Sequence, residues 1–161
     1  MKLYILRHGS SPNAAEAGVA RDFDRPLSEQ GRTDVRKAAL LLAGRGARPD
    51  VILHSPLVRA VQTAREAAAA LQPPRGTEAF PPLANELSAE ELAEKLRRRC
   101  QGLAEAMAVG HQPQLSELVA GLSKTLFNFK PAGLVALELK EEGPASFLWA
   151  ANPEDLRRTP E

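Results

Sequence analysis

The sequence predicts an α/β domain with three layers, in which helices cover both faces of a mostly parallel sheet. Apolar stretches of strand length alternate along the chain with longer stretches of helical periodicity, and this alternation is typical of three-layer α/β proteins. In addition, Val51, Ile52 and Leu53 form a continuous apolar run, as expected of a strand that is buried on both faces.

Length, composition and charge fit one such domain. The chain has 161 residues, which we assign to a single domain over 1–161. Hydrophobic residues make up 43% and charged residues 25% of the chain, which is an ordinary globular composition. The 21 basic and 20 acidic side chains give a formal net charge of +1, which argues against a protein that binds nucleic acid through general charge attraction.

Cysteine content and hydropathy favour a cytoplasmic protein. The single cysteine, Cys100, cannot form an internal disulfide, which suits a reducing compartment. No stretch approaches the roughly 20 apolar residues that a membrane span needs. The apolar run at the N-terminus stops at Arg7, so we expect neither a signal peptide nor a membrane partner.

The predicted elements follow in chain order. Strands are expected over residues 2–6, 50–54, 77–80, 106–109, 134–139 and 146–150, the last two as a hairpin. Helices are expected over residues 29–42, 56–71, 89–103 and 114–122, with Ser28 and Ser88 as N-caps and Pro56 in a first turn. Residues 10–27 form a long loop with a short helix over 14–20, and a loop of this length is usually functional. We expect the tail from Asn152 to fray.

Polar side chains follow three of the predicted strands, at the point where each strand ends. The three segments are Arg7-His8-Gly9, Ser55-Pro56-Leu57-Val58-Arg59 and Gly110-His111. In α/β sheets, ligands bind outside the carboxyl ends of the strands. Arg7 and Arg59 offer planar guanidinium groups that suit phosphate, and His8 offers an imidazole that can act as a nucleophile. Arg25, near the end of loop 10–27, either reaches this anion site or is a surface arginine before Pro26.

These motifs resemble those of the histidine phosphatase superfamily, which has the phosphoglycerate-mutase-like fold. The resemblance also includes Gln62-Thr63-Ala64, and Leu27, Ser28 and Gly31 where the first long helix begins. It implies that His8 is the nucleophile and forms a phosphohistidine intermediate, while Arg7, Arg59 and His111 line the phosphate pocket. Two guanidinium groups and an imidazolium would stabilise the phosphoryl oxygens and lower the pKa of His8. The resemblance implies no metal or other cofactor.

Within the superfamily, the short chain resembles the small protein phosphohistidine phosphatases of the SixA type, as does Arg25 before Pro26-Leu27. This implies hydrolysis of phosphohistidine in a partner protein, as part of signal transduction. The alternative is a small-molecule phosphomonoesterase, or a mutase, in which Glu86 protonates the leaving oxygen of a small phosphate ester. The flanking residues of Glu86 match the spacing of that motif poorly, so the interpretation of Glu86 as a loop carboxylate beside the Ser88 cap is favoured over catalysis. A non-catalytic phosphate-binding module is disfavoured, because binding alone would not need His8.

Overall fold

Six strands form one sheet at the centre of the molecule, and the helices lie in the connections between strands and after the last strand. The computed structural model describes residues 1–157. The strands are β1 (Lys2–Arg7), β2 (Ile52–His54), β3 (Thr77–Ala79), β4 (Glu105–Gly110), β5 (Leu134–Glu138) and β6 (Ser146–Ala151). The helices are α1 (Ala14–Ala17), α2 (Glu29–Gly44), α3 (Val58–Leu71), α4 (Ala89–Arg99), α5 (Gln114–Ser123) and α6 (Pro153–Arg157).

The sheet has the strand order β3-β2-β4-β1-β5-β6. The pairings β3–β2, β2–β4 and β4–β1 are parallel, whereas β5 pairs antiparallel with β1 and β6 antiparallel with β5. The predicted α/β fold is therefore confirmed, with an antiparallel hairpin added to one edge of the parallel part. The three strands that carry the motifs, β2, β4 and β1, are neighbours, so their carboxyl ends lie side by side.

Apolar side chains cover both faces of the sheet, as the continuous apolar strands predict. Along β1, Leu3 and Ile5 belong to the core beneath α4 and α5, whereas Tyr4 and Leu6 belong to the core beneath α2 and α3. Successive side chains of a strand point to opposite faces, which explains this division. Leu3 and Ile5 are completely buried, and each such side chain contributes about 1.5–3 kcal/mol to folding.

The structure corrects several predicted boundaries. Helix α3 begins at Val58 after an extended Leu57, so Pro56 precedes the helix instead of occupying its first turn. Helix α4 ends at Arg99, well before residue 103, and the chain then turns at Gly102 with a φ of 85° that favours glycine. The short helix α1 stops at Ala17 because Gly18 takes the left-handed conformation.

The chain after β6 is more ordered than the sequence suggests. Residues 153–157 form α6, and the Asn152 backbone N–H donates to the Asp155 carboxylate at 2.8 Å. The Asn152 side-chain oxygen accepts from the Lys130 backbone N–H at 2.9 Å. The expectation of a frayed tail is therefore wrong up to residue 157, and residues 158–161 lie outside the described part of the chain. Within residues 1–157, no helix combines the length and the apolar character needed to cross a bilayer.

Candidate active site

A cavity of about 310 Å³ opens at the carboxyl ends of β1, β2 and β4. It is lined by Arg7, His8, Asp22, Arg25, Leu57, Arg59, Ala84, Asn85, His111 and Gln112. The structure thus brings together the four residues that the strand-end motifs singled out, with Arg25 beside them. Three parallel strands end at this edge of the sheet, which is the place where α/β proteins bind ligands.

His8 presents one unprotonated ring nitrogen. Its Nδ1 lies 2.8 Å from the Gly9 carbonyl oxygen, and because a carbonyl oxygen can only accept, Nδ1 carries the proton. Nε2 therefore keeps a free lone pair. Burial, together with smaller effects of His111, Arg59 and Arg7, lowers the pKa of His8 to about 3, so the ring is neutral at pH 7. The pKa of His8 is lowered, as expected, but burial contributes more to this shift than the nearby cations do.

The turn that carries His8 is fixed by two neighbouring elements. The Gly9 backbone N–H donates to the Thr63 hydroxyl at 3.2 Å, and that hydroxyl donates to the Arg59 carbonyl oxygen at 2.8 Å. On the other side Gly9 packs against helix α2 so closely that a Cβ would lie 2.7 Å from the Gly31 carbonyl oxygen. These contacts explain why the first two motifs contain Gly9 and Thr63, and why a glycine stands at position 31.

Two guanidinium groups face the same cavity. Arg7 donates from Nη1 to the Phe129 carbonyl oxygen at 2.9 Å, while its buried Nε has no partner within residues 1–157. Arg59 is 8% exposed and lies at the second position of α3. Burial and the proximity of Arg59 lower the pKa of Arg7, which indicates that the two cations repel each other. An anion between them would relieve this repulsion and satisfy the Arg7 Nε.

His111 completes this side of the cavity, with its ring centroid 5.0 Å from that of His8. Its Nε2 lies 2.7 Å from the Ser55 hydroxyl oxygen, and its buried Nδ1 has no partner in the described part of the chain. Burial, followed by the charges of Arg59 and Arg7, lowers the pKa of His111 to about 4. The ring is therefore a neutral imidazole in the free protein, and the imidazolium expected beside a phosphoryl group during transfer stays a prediction.

Loop 10–27 folds over the cavity and adds a carboxylate that the motifs do not indicate. Arg25 lines the cavity, but its guanidinium donates to the Pro12 and Ser11 carbonyl oxygens at 2.8 and 3.1 Å. Its third contact is with the Asp22 carboxylate, at 2.9 Å. Asp22 in turn accepts from Arg59. Hydrogen bonds from Arg25 and then Arg59 lower the pKa of Asp22, so this carboxyl is ionised. The one feature of the sequence that could have indicated this role of Asp22 is its position three residues before Arg25, a spacing that allows an ion pair.

Glu86 is exposed and does not line the cavity, whereas the preceding residue, Asn85, does. Asn85 has a φ of 69°, a left-handed conformation. Its side-chain oxygen accepts from the Gln114 backbone N–H at 3.1 Å, and its side-chain nitrogen donates to the Gln112 carbonyl oxygen at 2.9 Å. These bonds hold Asn85 in the cavity wall, next to the candidate general acid Glu86. Among the lining residues, Asp22 carries the only carboxylate.

The arrangement is suited to phosphoryl transfer. A neutral imidazole with a free nitrogen can attack phosphorus, and guanidinium groups around it can stabilise the charge on the phosphoryl oxygens. No group of three or more His, Cys, Asp or Glu side chains in residues 1–157 is arranged to hold a metal ion.

Comparison with known proteins also points to a phosphatase. Residues 3–80 match the model of the histidine phosphatase superfamily, branch 1. The chain is 29% identical to the phosphohistidine phosphatase SixA of Escherichia coli K12 over 160 residues, which are 98% of this chain and 97% of SixA. It is 37% identical to an uncharacterised protein of Picosynechococcus sp. over 142 residues, 85% of this chain and 84% of that protein.

A solved structure of the protein histidine phosphatase SixA complexed with tungstate has the same fold, with a TM-score of 0.88 and 29% identity. The match covers 97% of this chain and 99% of that chain. The resemblance seen in the motifs is thereby confirmed for fold and family alike, and the chain belongs to the histidine phosphatase superfamily.

Proposed function

We propose that this phosphatase hydrolyses phosphohistidine in a partner protein, through a covalent phosphohistidine intermediate on His8. The observation that carries the proposal is the free Nε2 of His8 in a cavity whose one lining carboxylate, Asp22, is ionised. The near full-length similarity to SixA, which is named as a phosphohistidine phosphatase, supports the same substrate class.

In the first step, His8 Nε2 attacks the phosphorus atom of the substrate, and the bond from phosphorus to the substrate imidazole breaks. The leaving ring takes the electron pair of that bond. If its other nitrogen already carries a proton, it leaves as a neutral imidazole. His8 keeps its Nδ1 proton, held by the Gly9 carbonyl oxygen. Water then attacks the phosphorus of the intermediate, and the bond from phosphorus to His8 Nε2 breaks, with its electron pair returning to Nε2. The phosphate leaves with the protons of the water, which restores neutral His8.

Arg7, Arg59 and His111 are the groups that we assign to the phosphoryl oxygens. Arg7 has a buried Nε and His111 a buried Nδ1, both without partners in residues 1–157. A phosphoryl group bound between them would supply the missing acceptors. Buried donors without partners are costly, so their presence favours an oxyanion as the natural occupant. Arg25 would act on the substrate through the shape of loop 10–27, because its hydrogen bonds are made within that loop.

The leaving group separates phosphohistidine from a phosphate ester. Expulsion of an alkoxide requires a proton, and general acid help is typically worth 10²- to 10⁴-fold where it is needed. Asp22 is ionised and cannot supply that proton, and Glu86 lies outside the cavity. A neutral imidazole leaves without such help. The site therefore favours the P–N bond of phosphohistidine over the P–O bond of an ester.

The partner that we propose is a phosphorylated protein of a cytoplasmic signalling pathway, and neither a nucleic acid nor a membrane takes part. No metal ion or other cofactor enters the proposed steps. Phosphohistidine must project from the partner's surface to reach His8, because His8 is only 8% exposed at the base of the cavity.

The experiment compares turnover of a phosphohistidine-bearing protein with turnover of a panel of alkyl phosphate esters. We expect the wild type to cleave phosphohistidine at least about 100-fold faster, from the size of general acid effects. Glu86→Gln should leave phosphohistidine turnover within a fewfold, as should the control Glu90→Gln on the exposed face of α4. If Glu86→Gln abolishes a robust ester activity, the protein is a phosphomonoesterase and Glu86 is its acid.

A labelling experiment tests the covalent step. Brief incubation with a substrate carrying labelled phosphate should place the label on His8, in a bond that is labile to acid and more stable to base. His8→Ala should lose the label and the turnover together. Substantial turnover in His8→Ala would exclude a nucleophilic role for this residue.

A further inference from the structure

Ser55 is completely buried at the end of β2 and takes no part in the steps described above. Its hydroxyl oxygen lies 2.7 Å from His111 Nε2 and accepts a hydrogen bond from the Leu57 backbone N–H at 3.2 Å. The backbone N–H of Ser55 donates to the Val109 carbonyl oxygen on the neighbouring strand, at 3.0 Å. Ser55 is thus fixed between β2 and β4, next to a histidine of the cavity.

The contacts of Ser55 determine which nitrogen of His111 is protonated. A serine hydroxyl has one proton to donate, and when it is buried that proton needs an acceptor. The Leu57 N–H is itself a donor, so it cannot receive the proton. Within residues 1–157, the one acceptor in contact with the Ser55 hydroxyl is His111 Nε2. The hydroxyl therefore donates to Nε2, and the proton of the neutral imidazole resides on Nδ1.

The Nδ1 of His111 is the ring nitrogen without a partner, and it is buried in a residue that lines the cavity. We propose that Ser55 is a positioning residue, which holds His111 in the tautomer that offers its Nδ1–H to a phosphoryl oxygen. This inference rests on the proposed phosphoryl-binding role of His111. In the opposite tautomer, the lone pair of Nδ1 would face the phosphoryl oxygens, and the Ser55 proton would have no acceptor.

The lowered pKa of His111 agrees with this assignment, because a doubly protonated ring would leave no lone pair on Nε2 for the Ser55 hydroxyl. Partner groups that set the tautomer and orientation of a functional histidine are well known at metal sites, where their loss typically costs about 10- to 100-fold. The same logic applies where the histidine serves an oxyanion.

Nuclear magnetic resonance tests the tautomer directly, without any substrate. Long-range ¹H–¹⁵N correlation spectra distinguish a protonated ring nitrogen from an unprotonated one. We expect the wild-type His111 ring to be protonated at Nδ1, and Ser55→Ala to show a mixture of tautomers. A wild-type ring protonated at Nε2 would overturn the proposal, whatever the enzyme's substrate proves to be.

Binding and kinetics test the consequence. Ser55→Ala should weaken binding of inorganic phosphate and lower kcat/KM by about 10- to 100-fold. In a His111→Ala background, the same Ser55→Ala change should have almost no further effect on phosphate binding, because the serine acts through that ring. An equal loss in both backgrounds would show that Ser55 only supports the turn at Leu57. The matched control is Ser123→Ala, which removes a hydroxyl bonded to the Val119 carbonyl oxygen in α5.

Two replacements of His111 distinguish its nitrogens. The amide nitrogen of asparagine lies close to the position of Nδ1, whereas that of glutamine lies close to the position of Nε2. His111→Asn should therefore bind inorganic phosphate more tightly than His111→Gln. The reverse order would indicate that Nε2–H is the donor and would overturn the role assigned to Ser55. Since the probe is inorganic phosphate, this result does not depend on the identity of the physiological substrate.

Discussion

The carboxylate of Asp22 lies 3.1 Å from Nη2 of Arg59, and the Asp22 carbonyl oxygen lies 2.9 Å from Nη1 of the same guanidinium. Loop 10–27 thus contributes a carboxylate, Asp22, that forms an ion pair with the Arg59 guanidinium of the cavity. The Asp22 side chain is 63% exposed, so this ion pair is screened by water and easily exchanged for another anion. Asp22 should therefore compete with the proposed phosphoryl ligand for Arg59.

Asp22→Asn should strengthen the binding of inorganic phosphate by up to about fivefold, because exposed ion pairs are worth about 0.2–1 kcal/mol. Calorimetric titration of the wild type and the variant with phosphate measures this change. Asp24→Asn, which removes an ion pair with Arg21 in the same loop, is the matched control and should bind phosphate like the wild type. Weaker binding in Asp22→Asn would mean that Asp22 orients Arg59 for its ligand.

Arg59→Ala should cost at least about 2.7–4 kcal/mol of transition-state stabilisation in kcat/KM, by analogy with the loss of one oxyanion donor. Arg59→Lys should restore little of this loss, because an ammonium group cannot reproduce the planar fork of a guanidinium. Arg36→Lys on the exposed face of α2 is the control and should be silent. Full activity in Arg59→Lys would show that charge alone matters at this position.

The two cavity histidines should make folding stability depend on pH in mild acid. Their pKa values are lowered from 6.5 to about 3 in His8 and about 4 in His111. Between pH 6.5 and 4 the unfolded chain therefore binds protons that the folded chain does not. The contribution of the two neutral histidines to the free energy of unfolding is complete above pH 6.5 and decreases as the pH falls. Each pH unit in this window lowers the free energy of unfolding by roughly 1 kcal/mol per histidine.

Urea unfolding at pH 7.0, 6.0 and 5.0 measures this dependence, in a range where most carboxylates remain ionised in both states. His8→Asn should reduce the slope of stability against pH, since it removes one of the two titrating groups. An unchanged slope would contradict a neutral, buried His8.

The glycine at position 31 should be irreplaceable for steric reasons. A Cβ there would lie 2.2 Å from the Ser10 carbonyl oxygen, which is backbone and cannot move aside as a flexible side chain could. Gly31→Ala should therefore destabilise the protein by about 1–3 kcal/mol or more, despite the better helix propensity of alanine. Gly44→Ala, at the end of the same helix, should be neutral or stabilising, because no atom of residues 1–157 outside its own helix turn lies within 4 Å of a Cβ at that position. Thermal unfolding of both variants gives the comparison.

The convergence of the site residues was predictable from the sequence, because it depends on strand order and direction. Parallel strands end at one edge of a sheet, so segments that follow β1, β2 and β4 had to meet once these strands were neighbours. The position of Asp22 was not predictable in this way. It depends on the hydrogen bonds of Arg25 to carbonyl oxygens more than ten residues earlier, and periodicity carries no information about such contacts.

Glu86 illustrates the same limit at a single residue. Its position in the loop between β3 and α4 suggests that it lies beside the cavity. The left-handed backbone of Asn85, and the bonds of Asn85 to Gln114 and Gln112, place Asn85 in the cavity wall instead of Glu86. The helix ends at Pro56 and near residue 103 were misplaced for a related reason. An extended Leu57 and the turn at Gly102 are local backbone conformations that side-chain patterns indicate poorly.

Backbone hydrogen bonds hold His8 from both sides, since its N–H donates to the Gly110 carbonyl oxygen of β4 at 3.1 Å and its carbonyl accepts from the N–H of Ala132, in the turn before β5, at 3.0 Å. The proposed nucleophile thus lies where local opening would require the central strands to separate, and its backbone amide should exchange with deuterium only in rare, global unfolding. Loop 10–27 is instead held over the cavity by side-chain hydrogen bonds, those of Arg25 within the loop and those of Arg59 to Asp22, and these can break without separating any strands. Opening of loop 10–27 therefore does not require the His8 imidazole to move, and a ligand can be exchanged while that ring keeps its place at the end of β1.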